Sequence, residues 1–113
     1  MITEEMIQEA TARLIKVASP EKIFLFGSLA REQGREHSDL DFMIVQKRIE
    51  SRRQEVVRLY DALRPLRIPV DLLLTTETVF REWEDVPGTV FYEVKREGRV
   101  CYEASRSGEI AAA

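Results

Sequence analysis

Cysteine is almost missing: Cys101 stands alone in a chain of 113 residues. No intramolecular disulfide can staple the fold, so stability has to come from an apolar core. Histidine is equally scarce, with His37 the only one. No apolar run exceeds a few residues, far short of the length that crosses a bilayer. Neither sign of charge dominates: 17 basic and 20 acidic side chains leave a net charge of -3. The signs are interleaved, without the clustered basic face that nucleic-acid binding requires. Repeats, low-complexity blocks and domain-splitting linkers are all lacking, and no signal-peptide pattern opens the sequence. These absences lead to the expectation of a soluble cytoplasmic protein, with neither a membrane nor a nucleic acid as direct partner.

What is present is a single-domain length with 44% apolar residues, enough for a real core. Ile2, Met6, Ala10, Leu14 and Val17 recur at helical spacing until Ser19-Pro20 ends the pattern. Lys22 to Phe26 reads as a buried strand broken by Gly27-Ser28. Ser28 to Gln33 can form a short helix stopped at Gly34, with loop from Arg35 to Ser38. Leu40 to Gln46 is a second strand, and Glu50 to Leu63 a long helix carrying Val56, Val57, Leu59, Tyr60 and Leu63. Pro69 to Thr75 is the third strand. A short helix follows through Val79, Phe80 and Trp83, and another starts at Pro87 and carries Val90, Phe91 and Val94. Gly98 stops that helix and Arg99 to Tyr102 makes a fourth strand, leaving residues 105–113 as a frayed tail. The alternation predicts an α/β fold with a small mixed sheet of about four strands flanked by helices.

One segment, FLFGSLAREQGREHSDLDFMIV from Phe24 to Val45, sets two carboxylates at the edge of the core. Residues two apart on a strand share a face. Asp39 and Asp41 therefore point one way, while Leu40, Phe42 and Ile44 point the other, toward helices. Asp71 lies in the next strand-like run, between Val70 and Leu72. If the two strands are neighbours, about 4.8 Å apart, all three carboxylates can converge. Two like charges about 5 Å apart repel by roughly 3 kcal/mol at an effective dielectric near 20. Such a cluster calls for cations.

Carboxylate-only ligation suits hard Mg²⁺ or Mn²⁺, whereas zinc would want histidine or cysteine. Two such ions can hold an attacking and a leaving oxygen in line across a phosphorus. The strand-Gly27-Ser28-helix turn offers backbone N–H groups to phosphate oxygens. Arg31, one turn along, brings a positive charge toward the same anion. Plainer readings exist for each part taken alone. A Gly-Ser after a strand is usually only a turn, D-x-D can keep an edge strand soluble, and Asp71 can be a partner-satisfied strand end.

The combination resembles the nucleotidyltransferase family of the DNA polymerase β superfamily, and more narrowly the minimal nucleotidyltransferase (MNT) domains that pair with HEPN proteins. The family pattern hG-S-x-x-R-x(6)-S-D-h-D-h, with a later h-D-h strand, is met by FGSLAREQGREHSDLDF and PVDLL. Gly27, Ser28, Arg31, Ser38, Asp39, Asp41 and Asp71 fall on its positions. Members often carry glycine directly after the motif arginine, where this chain has Glu32; the departure bears on loop shape and leaves the spacing intact.

The resemblance implies a nucleotidyltransferase fold over residues 1–104. It also implies transfer of a nucleoside monophosphate from an NTP to a hydroxyl with release of pyrophosphate. Asp39, Asp41 and Asp71 would be catalytic and would ligate Mg²⁺ or Mn²⁺, two ions in all, with Asp71 helping to deprotonate the acceptor. Gly27, Ser28, Arg31 and Ser38 would bind the nucleotide phosphates. At this length no acceptor-selecting domain is expected, so the acceptor would be presented by another molecule. By resemblance it is an antitoxin that transfers AMP from ATP to a tyrosine of a HEPN ribonuclease toxin, in a hetero-oligomer or as a homo-oligomer. Two other readings stay open: a binding antitoxin acting by occlusion, and a small-molecule nucleotidyltransferase completed by oligomerisation.

Among the remaining residues, His37 reads as an exposed loop side chain and Cys101 as part of the core. Phe80, Trp83 and Tyr92 read as helix packing. Arg52-Arg53, Arg64 and Arg67 read as a solvated face, and Arg35 can reach a phosphate only by a stretch.

Overall fold

The first helix, α1 (Glu4–Ala18), starts at an N-cap whose hydroxyl does the work expected of threonine. Thr3 accepts the Met6 N–H, and the Met6 sulfur accepts the Thr3 N–H in return. Ser19 closes the helix in a left-handed conformation, φ 50°, with its N–H on the Ile15 carbonyl. The computed structural model describes residues 2–27 and 40–104. Beyond α1 these form β1 (Lys22–Phe26), β2 (Leu40–Gln46), α2 (Arg52–Leu63), β3 (Val70–Thr76), α3 (Glu77–Trp83), α4 (Val90–Glu97) and β4 (Arg99–Glu103), with a 3-10 turn at Arg64–Leu66. The expected short helix at Ser28–Gln33, the loop Arg35–Ser38 with His37, and the tail 105–113 lie outside the described residues.

The strands make one mixed four-stranded sheet in the order β3-β2-β1-β4. β1 runs antiparallel to β2 and β4, while β3 runs parallel to β2. Strand alternation divides the apolar side chains between two layers of helix. Ile23, Leu25, Leu40, Phe42, Ile44 and Leu74 join Ile7, Ala10 and Leu14 of α1 and Leu59 and Leu63 of α2. On the other face Phe24, Met43 and Val45 meet Phe80 of α3 and Val94 of α4. There Phe80 stacks on Phe24 with ring centroids 5.4 Å apart, and meets Phe91 edge-on at 6.2 Å. Side chains tie the layers at their ends. Gln46 Nε2 donates to the Ala18 carbonyl at 3.0 Å, and Arg58 Nη2 donates to the Val17 carbonyl at 2.8 Å. Both satisfy carbonyls that α1 leaves open at its C-terminus. Arg99 of β4 grips the Glu4 carboxylate and holds it below the usual carboxylate range.

Several expectations are corrected by packing. The buried stripe of α1 uses Ile7, Ala10, Thr11 and Leu14, while Met6 is only half-buried. α2 begins at Arg52 behind the Ser51 cap, not at Glu50. Pro87 sits in the turn before α4, which Thr89 caps through the Tyr92 N–H. Val57 and Tyr60 are solvent-exposed because α2 presents only Leu59, Leu63 and the flank of Val56 to the core. Of the aromatic set, Phe80 is buried but Trp83 is 44% exposed at the end of α3. Tyr92 is half-buried with the Arg96 guanidinium 5.3 Å from its ring. Cys101 is half-buried, as a core thiol should be, and burial pushes its thiol pKa up.

The two aromatics of α3 make the second core layer testable. Phe80→Ala is expected to destabilise by about 3–5 kcal/mol. Trp83→Ala should cost no more than about half of that, in proportion to its buried area. Urea unfolding of the two variants measures the difference.

Candidate active site

Register decides which carboxylates meet. Asp41 and Asp71 are direct Cα partners across the parallel β2–β3 pair. Neighbouring strands lie about 4.8 Å apart, and in-register partners point to the same face. That face is the one carrying Phe24, Met43 and Val45, which α3 and α4 cover further along the strands. At the strand ends the cover stops: Asp41 is half-buried and Asp71 exposed. Asp41 therefore sits where the apolar layer ends and solvent begins. Both carboxylates thus lie within reach of solvent at the rim of the sheet.

The end of β1 closes on the same spot. Phe26 is the register partner of Asp41, and Gly27 follows it with φ +84°. A Cβ built on Gly27 would stand 2.7 Å from Asp41 Oδ2. The left-handed backbone calls for glycine here, and any Cβ would also push the Asp41 carboxylate aside. On the other side of Phe26 and Gly27 lies a cavity of about 190 Å³, bounded by Glu93, Glu97 and Gly98 at the C-terminal end of α4. Backbone, carboxylates and cavity thus share one end of the sheet.

Of the expected site residues, Gly27, Asp41 and Asp71 come together in this way. Ser28, Arg31, Ser38 and Asp39 lie outside the described residues. Among the described residues there is no group of three or more acidic, histidine or cysteine side chains arranged to hold a metal. Glu93 and Glu97 carry no sequence signal as cavity walls beyond their spacing: they stand one turn apart on α4, so they share a face, but the sequence does not tell what that face meets. Tyr60, which belongs by spacing to the apolar set of α2, accepts the Leu72 N–H through its hydroxyl at 3.0 Å, next to Asp71. Arg52, read as solvated, donates to the Leu74 carbonyl.

A matched pair of glycines isolates the role of Gly27. Gly88 has nearly the same backbone, φ +91°, but nothing lies within 4 Å of its would-be Cβ. Gly27→Ala and Gly88→Ala should each destabilise by about 1–2 kcal/mol through left-handed strain. Only Gly27→Ala should displace Asp41 and weaken Mn²⁺ binding, by about tenfold. Thermal unfolding and Mn²⁺ titration of both variants check this.

No curated protein sequence is similar enough to this chain to count as a match. Solved structures do resemble it. A toxin–antitoxin structure with AMP-PNP superposes with a TM-score of 0.62 at 16% identity, over 91% of this chain and 78% of that one. The MntA-HepT toxin–antitoxin gives 0.57 at 14% identity, over 95% and 79%. A tri-AMPylated HEPN toxin in complex with MNT antitoxin, from Shewanella oneidensis, gives 0.57 at 13% identity, over 96% and 79%. At these identities the likeness is one of fold. The sequence profile of the family described as Polymerase beta, Nucleotidyltransferase matches residues 8–107. Because that match takes in all four strands, α2 to α4 and most of α1, the chain belongs to the polymerase β nucleotidyltransferase family.

Proposed function

We propose that the chain is an MNT-type antitoxin that transfers AMP from ATP to a tyrosine hydroxyl of a cognate HEPN-domain ribonuclease toxin and so neutralises it. The observation that carries the reading is Asp41 held in register with Asp71 beside Gly27. The family supports nucleotidyl transfer. Structures of similar fold, described as a toxin–antitoxin with AMP-PNP and as an AMPylated HEPN toxin with its MNT antitoxin, support the nucleotide and the partner. No described helix is long and apolar enough to cross a membrane.

The donor set fits a hard divalent cation. Asp41 and Asp71 present oxygen ligands from neighbouring strands on one half-solvated face. With Asp39 they would hold Mg²⁺ or Mn²⁺, which when bound neutralises triphosphate charge and polarises the phosphoryl oxygens. The chain's own groups do the rest. Gly27 lets the triphosphate approach the backbone closely, with Ser28, Arg31 and Ser38 as further phosphate contacts. Asp71, the more exposed carboxylate, would take the proton of the incoming hydroxyl. The hydroxyl oxygen then bonds to the α-phosphorus as the bond to pyrophosphate breaks. Catalysis is mainly positioning and charge neutralisation, as phosphoryl-group chemistry requires.

Intact mass spectrometry of the neighbouring-gene HEPN protein, after incubation with this protein, ATP and Mg²⁺, tests the reading. Wild type should add AMP to the partner, and Asp41→Asn should lower the rate at least about a hundredfold. A stable complex with unchanged masses would instead indicate neutralisation by occlusion. AMP appearing on a small molecule, with the partner untouched, would indicate a small-molecule transferase.

A further inference from the structure

The edge strand that carries Asp71 is held from outside the sheet. Among the described residues β3 pairs only with β2, which leaves its other side without a strand partner there. Two side chains of α2 occupy that side. The Tyr60 hydroxyl accepts the Leu72 N–H at 3.0 Å, and the Arg52 guanidinium donates to the Leu74 carbonyl. Tyr60 and Arg52 are eight residues apart, a little over two helical turns, and so share one side of α2. The helix is itself anchored on the sheet through the buried Leu59 and Leu63.

The Tyr60 bond has a consequence for the site because of where it falls. The Leu72 N–H belongs to the peptide unit that begins at the Asp71 carbonyl, and that unit is planar and rigid. With the strand held on its inner side by β2, a bond to that N–H restricts the ψ rotation of Asp71, and with it the direction in which the Asp71 side chain leaves the strand. On the inner side Asp71 faces Asp41 through the β2 register. The peptide following Asp71 is therefore held between β2 and Tyr60.

We infer that Tyr60 is a positioning residue for nucleotidyl transfer: through the Leu72 amide it sets the orientation of Asp71 against Asp41. The inference rests on the reading of Asp41 and Asp71 as the site of transfer. Tyr60 touches neither nucleotide nor acceptor in this role. It acts on the geometry of the carboxylate that receives the proton and shares the cation. A misplacement near 1 Å at such a site can lower a rate about a hundredfold while leaving remote substrate contacts unchanged.

The test compares wild type, Tyr60→Phe and Thr3→Ala, which removes the cap hydrogen bond of α1 far from β3. Two readouts are taken: kcat and KM for AMP transfer from ATP to the HEPN partner, and Mn²⁺ affinity of the protein alone. Tyr60→Phe should lower kcat about tenfold to a hundredfold, keep KM for ATP within about twofold, and weaken Mn²⁺ binding severalfold, in the same direction as Asp71→Asn. Thr3→Ala should leave all three values near wild type despite its lower stability. Wild-type kcat and Mn²⁺ affinity in Tyr60→Phe would overturn the inference, as would an equal loss in Thr3→Ala. Absence of AMP transfer by the wild type would count against the proposed function instead, and Mn²⁺ affinity would still decide the role of Tyr60.

Discussion

Two carboxylates side by side in one pleat form the constraint on which the rest of this structure turns. Asp41 and Asp71 are brought together by the parallel register of β2 and β3, and nothing in an apolar sheet would favour that arrangement by itself. It is tolerable because the pair lies at the sheet end, where Asp41 is half-buried and Asp71 exposed. Parallel pairing needs a crossover, and α2 supplies it while burying Leu59 and Leu63. The same helix then reaches round to the open edge of β3 with Tyr60 and Arg52. Topology and site are thus one problem: the crossover that makes the register also steadies the strand bearing the outer carboxylate.

The two faces of the sheet divide the labour. The α1–α2 face is covered along its length and supplies most of the core, including the fully buried Phe42, Leu14 and Leu25. The α3–α4 face is covered only in part, because both helices are short. The uncovered remainder is where Gly27, Asp41 and the cavity beside Glu93 and Glu97 lie. A longer helix on that side would bury the carboxylates.

Much of this was legible in the residues. KIFLF and LDFMIVQ are strands with the boundaries that their apolar patterns indicate. The assignment of Leu40, Phe42 and Ile44 to a helix-covered face holds, since period-2 alternation is a local property. The adjacency of Asp41 and Asp71 was legible only as a condition, because strand order is not a local property. What could not be read depends on partners distant in sequence. Tyr60 looks like one more apolar residue of α2 until β3 places the Leu72 amide against its hydroxyl. Trp83 carries the same helical signal as Phe80, yet only Phe80 meets Phe24. Pro87 is a sound helix start, but Thr89 offers a better cap and takes the N-terminus of α4. Ser28, Arg31, Ser38 and Asp39, which the motif reading places at the same site, lie outside the described residues.

The central claim is that Asp41 and Asp71 act as one cation site across two strands, and a double-mutant cycle on Mn²⁺ affinity addresses it most directly. Affinities would be measured for wild type, Asp41→Asn, Asp71→Asn and the double variant. If the two carboxylates share an ion, either single change should remove most of the binding, and the second should add little, with a coupling energy of about 1 kcal/mol or more. Strictly additive losses, or a single variant that binds Mn²⁺ as the wild type does, would contradict a shared site.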